Sequence, residues 1–296
     1  MSLSRLSLFA CPRAFDGPYR TIQLNAIHSW TLLNPKPEII LFGNDAGTAE
    51  VARQFGLRHV PDIACNENGT PLVSGLFRLA EQLAKNDILC YVNSDIILMR
   101  DFMQAVNQVA SSREPFLMIG ERQDLDVNEL LPFENNWEEN LRARAFRDGK
   151  PYGYGGTDYF VYRKGFWGEI PKFALGRFLW DNWLLYQARK LGALLIDATS
   201  SVTVVHQNHF FPSPQGAAEI RKKEGLQNLA LLKQWHFHTI LEATHRLTPH
   251  GLQRSWSGTL RLSWLMYILK NTYWYPLLTK TKTWRHFLGI RTRSSA

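Results

Sequence analysis

NDILCYVNSDIILM, residues 86–99, is the stretch that decides the fold. Residues 88–92 suit a buried strand, and the apolar pattern resumes at residues 96–99 after three polar residues, 93–95. In open α/β sheets, ligands bind at the carboxyl ends of the strands. Hard divalent cations prefer oxygen ligands, but the same polar residues are also common in simple turns. The stretch on its own therefore predicts either a cation site or an Asx turn.

The residues before this stretch alternate between strand and helix patterns. Apolar runs predict strands at 5–11, 38–43, 57–60 and 87–93, and helical spacing predicts helices at 19–33, 47–56 and 74–85. This alternation is typical of a mostly parallel sheet with helices on both faces. The second half predicts helices at 100–110, 137–146 and 180–192 and strands at 116–120, 193–198 and 201–206. The fold class that follows is α/β.

The bulk composition is that of a globular protein. The chain has 296 residues, of which 45% are hydrophobic and 20% charged, and this is ample for a packed core. Three cysteines without paired spacing predict a reducing compartment rather than a disulfide framework. No apolar run approaches the ~20 residues that span a bilayer, and the first residues show no signal-peptide pattern. We therefore expect a cytoplasmic location.

The basic excess lies in residues 251–296. This segment has eight basic residues, no acidic residue and four of the ten tryptophans, and the formal net charge of the whole chain is +8. Its apolar stretch at 259–269 is too short to cross a bilayer but suits a helix on a membrane surface. The predicted organisation is a main domain (1–212), a helical extension (213–250) and this basic, helical appendage. The appendage either attaches to an anionic membrane or packs on the main domain.

A strand that ends in an acidic cluster after three βα units resembles the GT-A fold glycosyltransferases. These enzymes carry a D-x-D-type motif there, which holds a metal and the diphosphate of a sugar nucleotide; here the motif is Asn93-Ser94-Asp95, with an amide in place of the first carboxylate. The elements LCYVNSDIIL, GGTDYF, WDNW and VHQNH further resemble bacterial cell-surface polysaccharide glycosyltransferases. The resemblance covers about residues 5–210. It implies a GT-A (Rossmann-like) domain that needs Mn²⁺ or Mg²⁺.

The resemblance also implies a histidine ligand from a strand near the end of the domain. His206 matches in order and place, and His209 is a weaker match. A lone strand-end histidine can also be purely structural. A literal D-x-D at 124–126 follows the strand at 116–120 instead of closing it, and we interpret it as an acceptor-side or structural loop. The predicted metal ligands are Asp95 and His206.

Two acidic residues are candidates for the catalytic base. Asp181 stands at a helix start after a glycine loop, where similar enzymes carry an acidic residue, but it could also be an N-cap. Asp158, at the rim of that loop, is the second candidate. Gly155 and Gly156 would let the backbone approach the donor sugar closely, unless the loop is an ordinary glycine turn.

The ends of the first two strands supply candidates for nucleotide binding. Arg13 offers a charge to phosphate and Phe15 a ring for stacking, although each could be a solvated or packing side chain. Asn44 and Asp45 could hydrogen-bond the base or ribose, and Asp45 could equally cap the next helix. The polar residues 93–95 complete the predicted donor site.

The predicted function is metal-assisted transfer of a sugar from a nucleotide-diphosphate donor to a hydroxyl of a saccharide or lipid-linked saccharide acceptor. The first alternative is a sugar-phosphate nucleotidyltransferase, but CPRAFDG after the first strand lacks the glycine-rich loop of that class. The second is a non-enzymatic module that binds nucleic acid through the basic tail, yet no nucleic-acid motif accompanies the tail. We therefore expect no nucleic-acid partner. From the basic tail we expect a peripheral position on the inner face of the cell membrane.

Overall fold

The computed structural model describes residues 5–209, 217–232 and 238–255. The helices are α1 (Gly17–Thr31), α2 (Thr48–Phe55), α3 (Val73–Leu83), α4 (Arg100–Ala110), α5 (Trp137–Asp148), α6 (Trp180–Lys190) and α7 (Ala217–Leu231). The strands are β1 (Leu6–Ala10), β2 (Glu38–Phe42), β3 (Arg58–Val60), β4 (Ile88–Val92), β5 (Ile96–Ile97), β6 (Phe116–Ile119), β7 (Gln123–Leu125), β8 (Lys150–Pro151), β9 (Tyr159–Arg163), β10 (Leu194–Asp197), β11 (Val205–Gln207), β12 (His245–Thr248) and β13 (Gly251–Arg254). Every helix and strand predicted before residue 111 is present, with its ends shifted by at most two residues.

Within the described residues, the main sheet has nine strands in the order β13-β12-β10-β6-β9-β4-β1-β2-β3. β1 pairs in parallel with both β2 and β4, as the alternation of strands and helices predicts. β9 is antiparallel to both of its neighbours, β4 and β6. Its first residue therefore lies at the edge where β4 ends, and this brings Asp158 to the same edge as Asp95.

Helices cover both faces of this sheet. Trp30 of α1 and Phe102 of α4 belong to one core cluster, and Phe77 of α3 and Leu184 of α6 belong to the other. Alternate residues of β4 enter the two clusters, as the period of a strand requires. The predicted class is confirmed: the fold is α/β, with a mostly parallel sheet and helices on both faces.

A second sheet of four strands, β5-β11-β7-β8, was not predicted. β11 is antiparallel to β5 and parallel to β7, and its register places His206 opposite both Ile96 and Asp124. The sequence interpretation had residues 124–126 in a loop, but β7 is a short strand. Because β5 begins directly after the polar residues 93–95, this small sheet lies next to the carboxyl end of β4.

The region predicted to be a helical extension is only partly helical. α7 lies within it, but β12 and β13 form a hairpin, and β12 extends the main sheet by pairing in parallel with β10. Leu247 is buried there, and Gly251 has a φ of 103°, a conformation that favours glycine at the hairpin turn. The first four residues of the predicted appendage, Gly251–Arg254, therefore belong to the main sheet. The rest of it, 256–296, lies outside the described residues.

Candidate active site

The carboxyl edge of the main sheet opens into a cavity of about 750 Å³. Arg13 enters it after β1, Asp95 after β4 and Arg122 after β6. β11 supplies His206, and α7 supplies Arg221. The polar ends of neighbouring strands thus converge on one crevice, which is where open α/β sheets bind ligands.

Three potential metal ligands meet in this cavity. In the described part of the chain, Asp95, His206 and His209 offer ligand atoms that all lie within 4.8 Å of one another. Asp95 Oδ2 lies 3.5 Å from His206 Nε2 and 3.2 Å from His209 Nε2. Asp95 Oδ1 is buried and has no hydrogen-bond partner among the described residues, which is costly unless something binds it. One carboxylate and two imidazoles suit a divalent first-row metal ion such as Mn²⁺, so the predicted cation fits.

Neighbouring residues hold two members of this metal cluster (Asp95, His206 and His209) in place. His206 Nδ1 lies 3.0 Å from Asp124 Oδ1, because the register of β11 and β7 sets the two residues opposite each other. A carboxylate behind an imidazole fixes the orientation of the ring. Gln207 donates its backbone N–H and its side-chain amide to the Asp95 carbonyl oxygen, at 3.2 and 3.1 Å. The turn that carries Asp95 is therefore preorganised.

The charges in the cluster are strongly coupled. Burial alone would raise the pKa of Asp95, but the charges and hydrogen bonds of His206 and His209 hold it well below its usual range. Burial lowers the pKa of His206, but the Asp95 charge and hydrogen bonds to Asp124 and Asp95 outweigh it and raise the pKa to about 9. The surroundings of Asp95 therefore favour positive charge beside its carboxylate.

The literal D-x-D divides into one site residue and one surface residue. Asp124 is buried, lines the cavity and accepts a hydrogen bond from Arg122 Nε at 2.9 Å. Asp126 is exposed and accepts a hydrogen bond from Asn208 Nδ2 at 2.8 Å. Asp124 thus supports His206 from behind, a role that the interpretation as a loop missed.

Asn93 anchors a second acidic residue. Its Nδ2 donates to Asp158 Oδ1 at 2.7 Å, and Arg122 Nη1 donates to both Asp158 oxygens at 2.8 and 2.7 Å. A carboxylate in place of Asn93 would face the Asp158 carboxylate at hydrogen-bond distance, and the two would repel each other. The contact with Asp158 therefore explains why the first position of the D-x-D-type motif is an amide and not a carboxylate.

Replacing Arg122 with leucine should lower the free energy of unfolding by about 3 kcal/mol, because the buried carboxylates of Asp124 and Asp158 lose the guanidinium group that pairs with both of them. The Arg122 side chain is only 14% exposed. Urea denaturation measures the change. Arg100→Leu is the matched control, since its ion pair with Glu138 is at the surface and should matter little. Equal effects of both substitutions would contradict the prediction.

Arg13 and Ser94 are tied together by one glutamine. Gln23 Oε1 accepts from the Arg13 backbone N–H at 2.8 Å and from Ser94 Oγ at 2.9 Å, and Gln23 Nε2 donates to the Arg13 carbonyl at 2.9 Å. All three residues line the cavity. The structure therefore brings these two predicted donor residues together with Asp95.

Asp181 lies in the first turn of α6 and is not its N-cap. The helix begins at Trp180 after Leu179, whose φ of 79° is unusual and strained for a leucine. Burial raises the pKa of Asp181 to about 7; the backbone N–H of Asn182 opposes this shift, and the nearby Asp158 charge adds to it. Asp181 is not among the residues that line the cavity, whereas Asp158 is.

A smaller cavity of about 460 Å³ lies at the end of β2 and adjoins the first. Asn44 and Asp45 line it, and Asp45 lines both cavities. The N-cap of α2 is Gly47, so Asp45 does not cap that helix. Both residues are exposed and free to contact a ligand at this edge.

Three predicted donor residues lie outside the lining of both cavities. Phe15 is buried in the core, donates its N–H to the Ala46 carbonyl at 2.7 Å and packs against Gly47. Its surroundings explain it as a packing residue. Gly156 lies against the Tyr152 ring, where a Cβ would clash, and Gly155 precedes it in the same turn. The close approach that Gly156 allows is therefore to the Tyr152 ring, and Tyr152 itself lines the cavity.

Sequence reasoning missed several cavity residues and gave His209 too little weight. The missed residues are Tyr19, Arg122, Asp124, Tyr152, Arg177 and Arg221. They share no motif and are spread over about two-thirds of the chain. The spacing of His206 and His209 after one strand was the signal available for the second histidine.

Comparison with known proteins gives no assignment. No family model and no curated protein matches the chain. The structure of glucosyl-3-phosphoglycerate synthase from Mycobacterium tuberculosis, in complex with Mn²⁺, UDP and phosphoglyceric acid, is similar at 15% identity and a TM-score of 0.45, over 77% of this chain and 78% of that one. A mycobacterial protein is similar at 13% identity and a TM-score of 0.46, over 77% and 74%. Likeness at this level carries no argument about function.

Proposed function

We propose that the protein is a metal-assisted glycosyltransferase that uses a nucleotide-diphosphate sugar. The observation that carries the proposal is the metal cluster at the end of β4, with an orphaned oxygen on Asp95, which lines a large cavity. A carboxylate at that place suits a cation that bridges the protein to phosphate groups. The volumes of both cavities fall in the range of ligand pockets, roughly 300–1,000 Å³.

The donor is proposed to lie along the edge of the sheet. Asn44 and Asp45, in the smaller cavity, would hydrogen-bond the base or ribose. Asp45 lines both cavities, so a nucleoside there leads directly towards Arg13 and Asp95. The diphosphate would then lie beside the metal cluster, with the sugar towards Asp158.

The proposed chemistry assigns each group one task. A divalent cation on Asp95, His206 and His209 would offset the negative charge of the departing diphosphate. Asp181 does not line the cavity, but its pKa of about 7 suits a general base at neutral pH, and we propose that it takes the proton of the acceptor hydroxyl; Asp158, which lines the cavity, is the second candidate. Arg122 keeps Asp124 and Asp158 fixed, so that the rings and carboxylates around the donor do not reorganise during transfer.

A screen of UDP-, GDP- and dTDP-sugars for hydrolysis, with Mn²⁺ and then with EDTA, tests this function. We expect one class of donor to release its nucleoside diphosphate only when Mn²⁺ is present. Synthesis of a sugar nucleotide from a nucleoside triphosphate and a sugar phosphate would favour the nucleotidyltransferase instead. Salt-dependent binding of duplex DNA without any hydrolysis would favour the nucleic-acid module.

The basic tail is proposed to attach the protein to an anionic membrane, on the inner face of the cell membrane beside a lipid-linked acceptor. Support comes from its composition alone, since each cation near an anionic leaflet adds about 1 kcal/mol. Within the described ranges, no helix is both long and apolar enough to cross a bilayer.

The full-length protein should sediment with liposomes rich in anionic lipid at low salt, and should be released as salt rises, because screening weakens these attractions. Neutral liposomes are the control. Protein that stays in the supernatant with anionic liposomes at low salt contradicts membrane attachment.

A further inference from the structure

Besides Arg122, which is paired with Asp124 and Asp158, three arginines from distant parts of the sequence line the cavity. They are Arg13 after β1, Arg177 in the turn before α6, and Arg221 on α7. We refer to these three residues as the basic wall. None of them is a member of the metal cluster, and the proposed reaction at that cluster gives Arg177 and Arg221 no task.

The three arginines of the basic wall share the lining of one cavity, and their charges act on one another. A Cβ placed on Gly176 would lie 3.6 Å from Arg13 Nη2, so the Arg13 guanidinium reaches the residue next to Arg177. Burial lowers the pKa of Arg221, and the charges of Arg13 and Arg177 lower it further. Like charges held together in this way repel one another unless an anion lies among them.

Carboxylates neutralise only part of this charge. Arg177 Nε donates to Glu224 Oε2 at 2.6 Å. Neither Arg13 nor Arg221 forms an ion pair with a carboxylate within residues 5–209, 217–232 and 238–255. The residues outside these ranges include no aspartate or glutamate. Two guanidinium groups of the basic wall are therefore available to an anion in the cavity.

Glu224 fixes Arg177 of the basic wall in position. It is fully buried on α7 and accepts hydrogen bonds from Asn66 Nδ2 at 2.7 Å, from Thr70 Oγ1 at 2.8 Å and from Arg177. Burial alone would raise its pKa, but these hydrogen bonds lower it to about 2, so the carboxylate is charged at neutral pH. Glu224 thereby joins α7 to two loops, and Arg177 is oriented before any ligand arrives.

We infer that the basic wall binds a phosphate or carboxylate group of the acceptor, separate from the donor diphosphate. The inference rests on the proposed function, in which the metal cluster already faces the diphosphate. Arg13 lies on the proposed path of the donor, so the charge left over is that of Arg221; it matches a second anion, and guanidinium groups are suited to bind phosphate and carboxylate. The acceptor class is therefore a phosphorylated or carboxylated saccharide or small molecule, and a neutral sugar is excluded.

Titration of inorganic phosphate into the full-length protein, in EDTA and followed by calorimetry, tests the basic wall without any reaction. We expect saturable millimolar binding that Arg221→Gln weakens at least tenfold. Lys222→Gln is the matched control, because it removes the same charge from the next residue of α7, which is exposed and does not line the cavity. It should change the affinity less than twofold, and both variants should unfold at the temperature of the wild type.

A second titration, with Mn²⁺ and a saturating nucleoside diphosphate present, separates the two sources of phosphate. Retained phosphate binding supports a site for the acceptor. Competition between phosphate and the nucleotide assigns the arginines to the donor and overturns the inference, as does an absence of saturable binding or an equal effect of Lys222→Gln. If no sugar nucleotide is hydrolysed but phosphate still depends on Arg221, the transferase assignment fails while the anion site stands.

Discussion

Replacing Asp95 with alanine should abolish Mn²⁺ binding and lower donor hydrolysis about 1,000-fold or more, with the fold intact. Asp95 is the one carboxylate of the metal cluster, and its Oδ1 atom has no other task among the described residues. A metal ion stabilises developing charge by several kcal/mol, and about 1.4 kcal/mol corresponds to a tenfold change in rate. Calorimetry measures Mn²⁺ binding directly, and thermal unfolding shows whether the variant is folded.

The two aspartates of the literal D-x-D provide matched controls for this experiment. Asp124→Asn should weaken Mn²⁺ binding roughly 10- to 100-fold, because Asp124 orients His206 without touching the ion. Asp126→Asn should have no effect, since its side chain is exposed and bonded to Asn208. An Asp95→Ala protein that remains fully active in EDTA refutes the metal assignment.

The choice of ion follows from the same ligands. Two of the three ligand groups are imidazole nitrogens, which bind first-row transition metals better than they bind Mg²⁺. Mn²⁺ should therefore restore activity to the EDTA-treated protein at lower concentrations than Mg²⁺. A protein that prefers Mg²⁺ would indicate that the two histidines do not bind the ion.

The first half of the fold could be predicted because its signals are local. β1, β2 and β4 are mostly apolar, and each of the helices between β1 and β4 shows apolar residues at helical spacing. The second sheet could not be predicted in the same way, because β5, β7 and β8 have only two or three residues each. Strands this short form only when they pair with residues far away in the sequence. In the second sheet, for example, His206 pairs with Ile96 and with Asp124.

The residues of the candidate site likewise fall into those with a local sequence signal and those without one. Asp95 and His206 end or follow apolar strands, so their places were visible in the sequence. Asn93 was identified with them, but its bond to Asp158 depends on the antiparallel insertion of β9, which no local pattern indicates. The basic wall was even less predictable from the sequence, because its three arginines meet only through tertiary packing on α7.

Asp181→Asn should reduce sugar transfer about 100- to 10,000-fold while donor binding persists, because a general base contributes an effect of that size. The supporting observations are its half-buried position in the first turn of α6 and the strained backbone of Leu179 just before the helix. Calorimetry with the nucleoside diphosphate and Mn²⁺ measures donor binding separately from transfer. Asp158→Asn, in contrast, should lower stability, because it removes one partner of the buried Arg122 pair.

The pH dependence of transfer provides the second measurement on Asp181. Only the deprotonated carboxylate can take a proton from the acceptor, and burial raises its pKa to about 7. The value of kcat/KM should therefore rise with pH, reach half of its maximum near pH 7 and level off above it. Asp181→Asn should remove this step and leave a low, flat profile across the same range. If the step survives in Asp181→Asn but vanishes in Asp158→Asn, the base is Asp158 and the order of the two candidates is reversed.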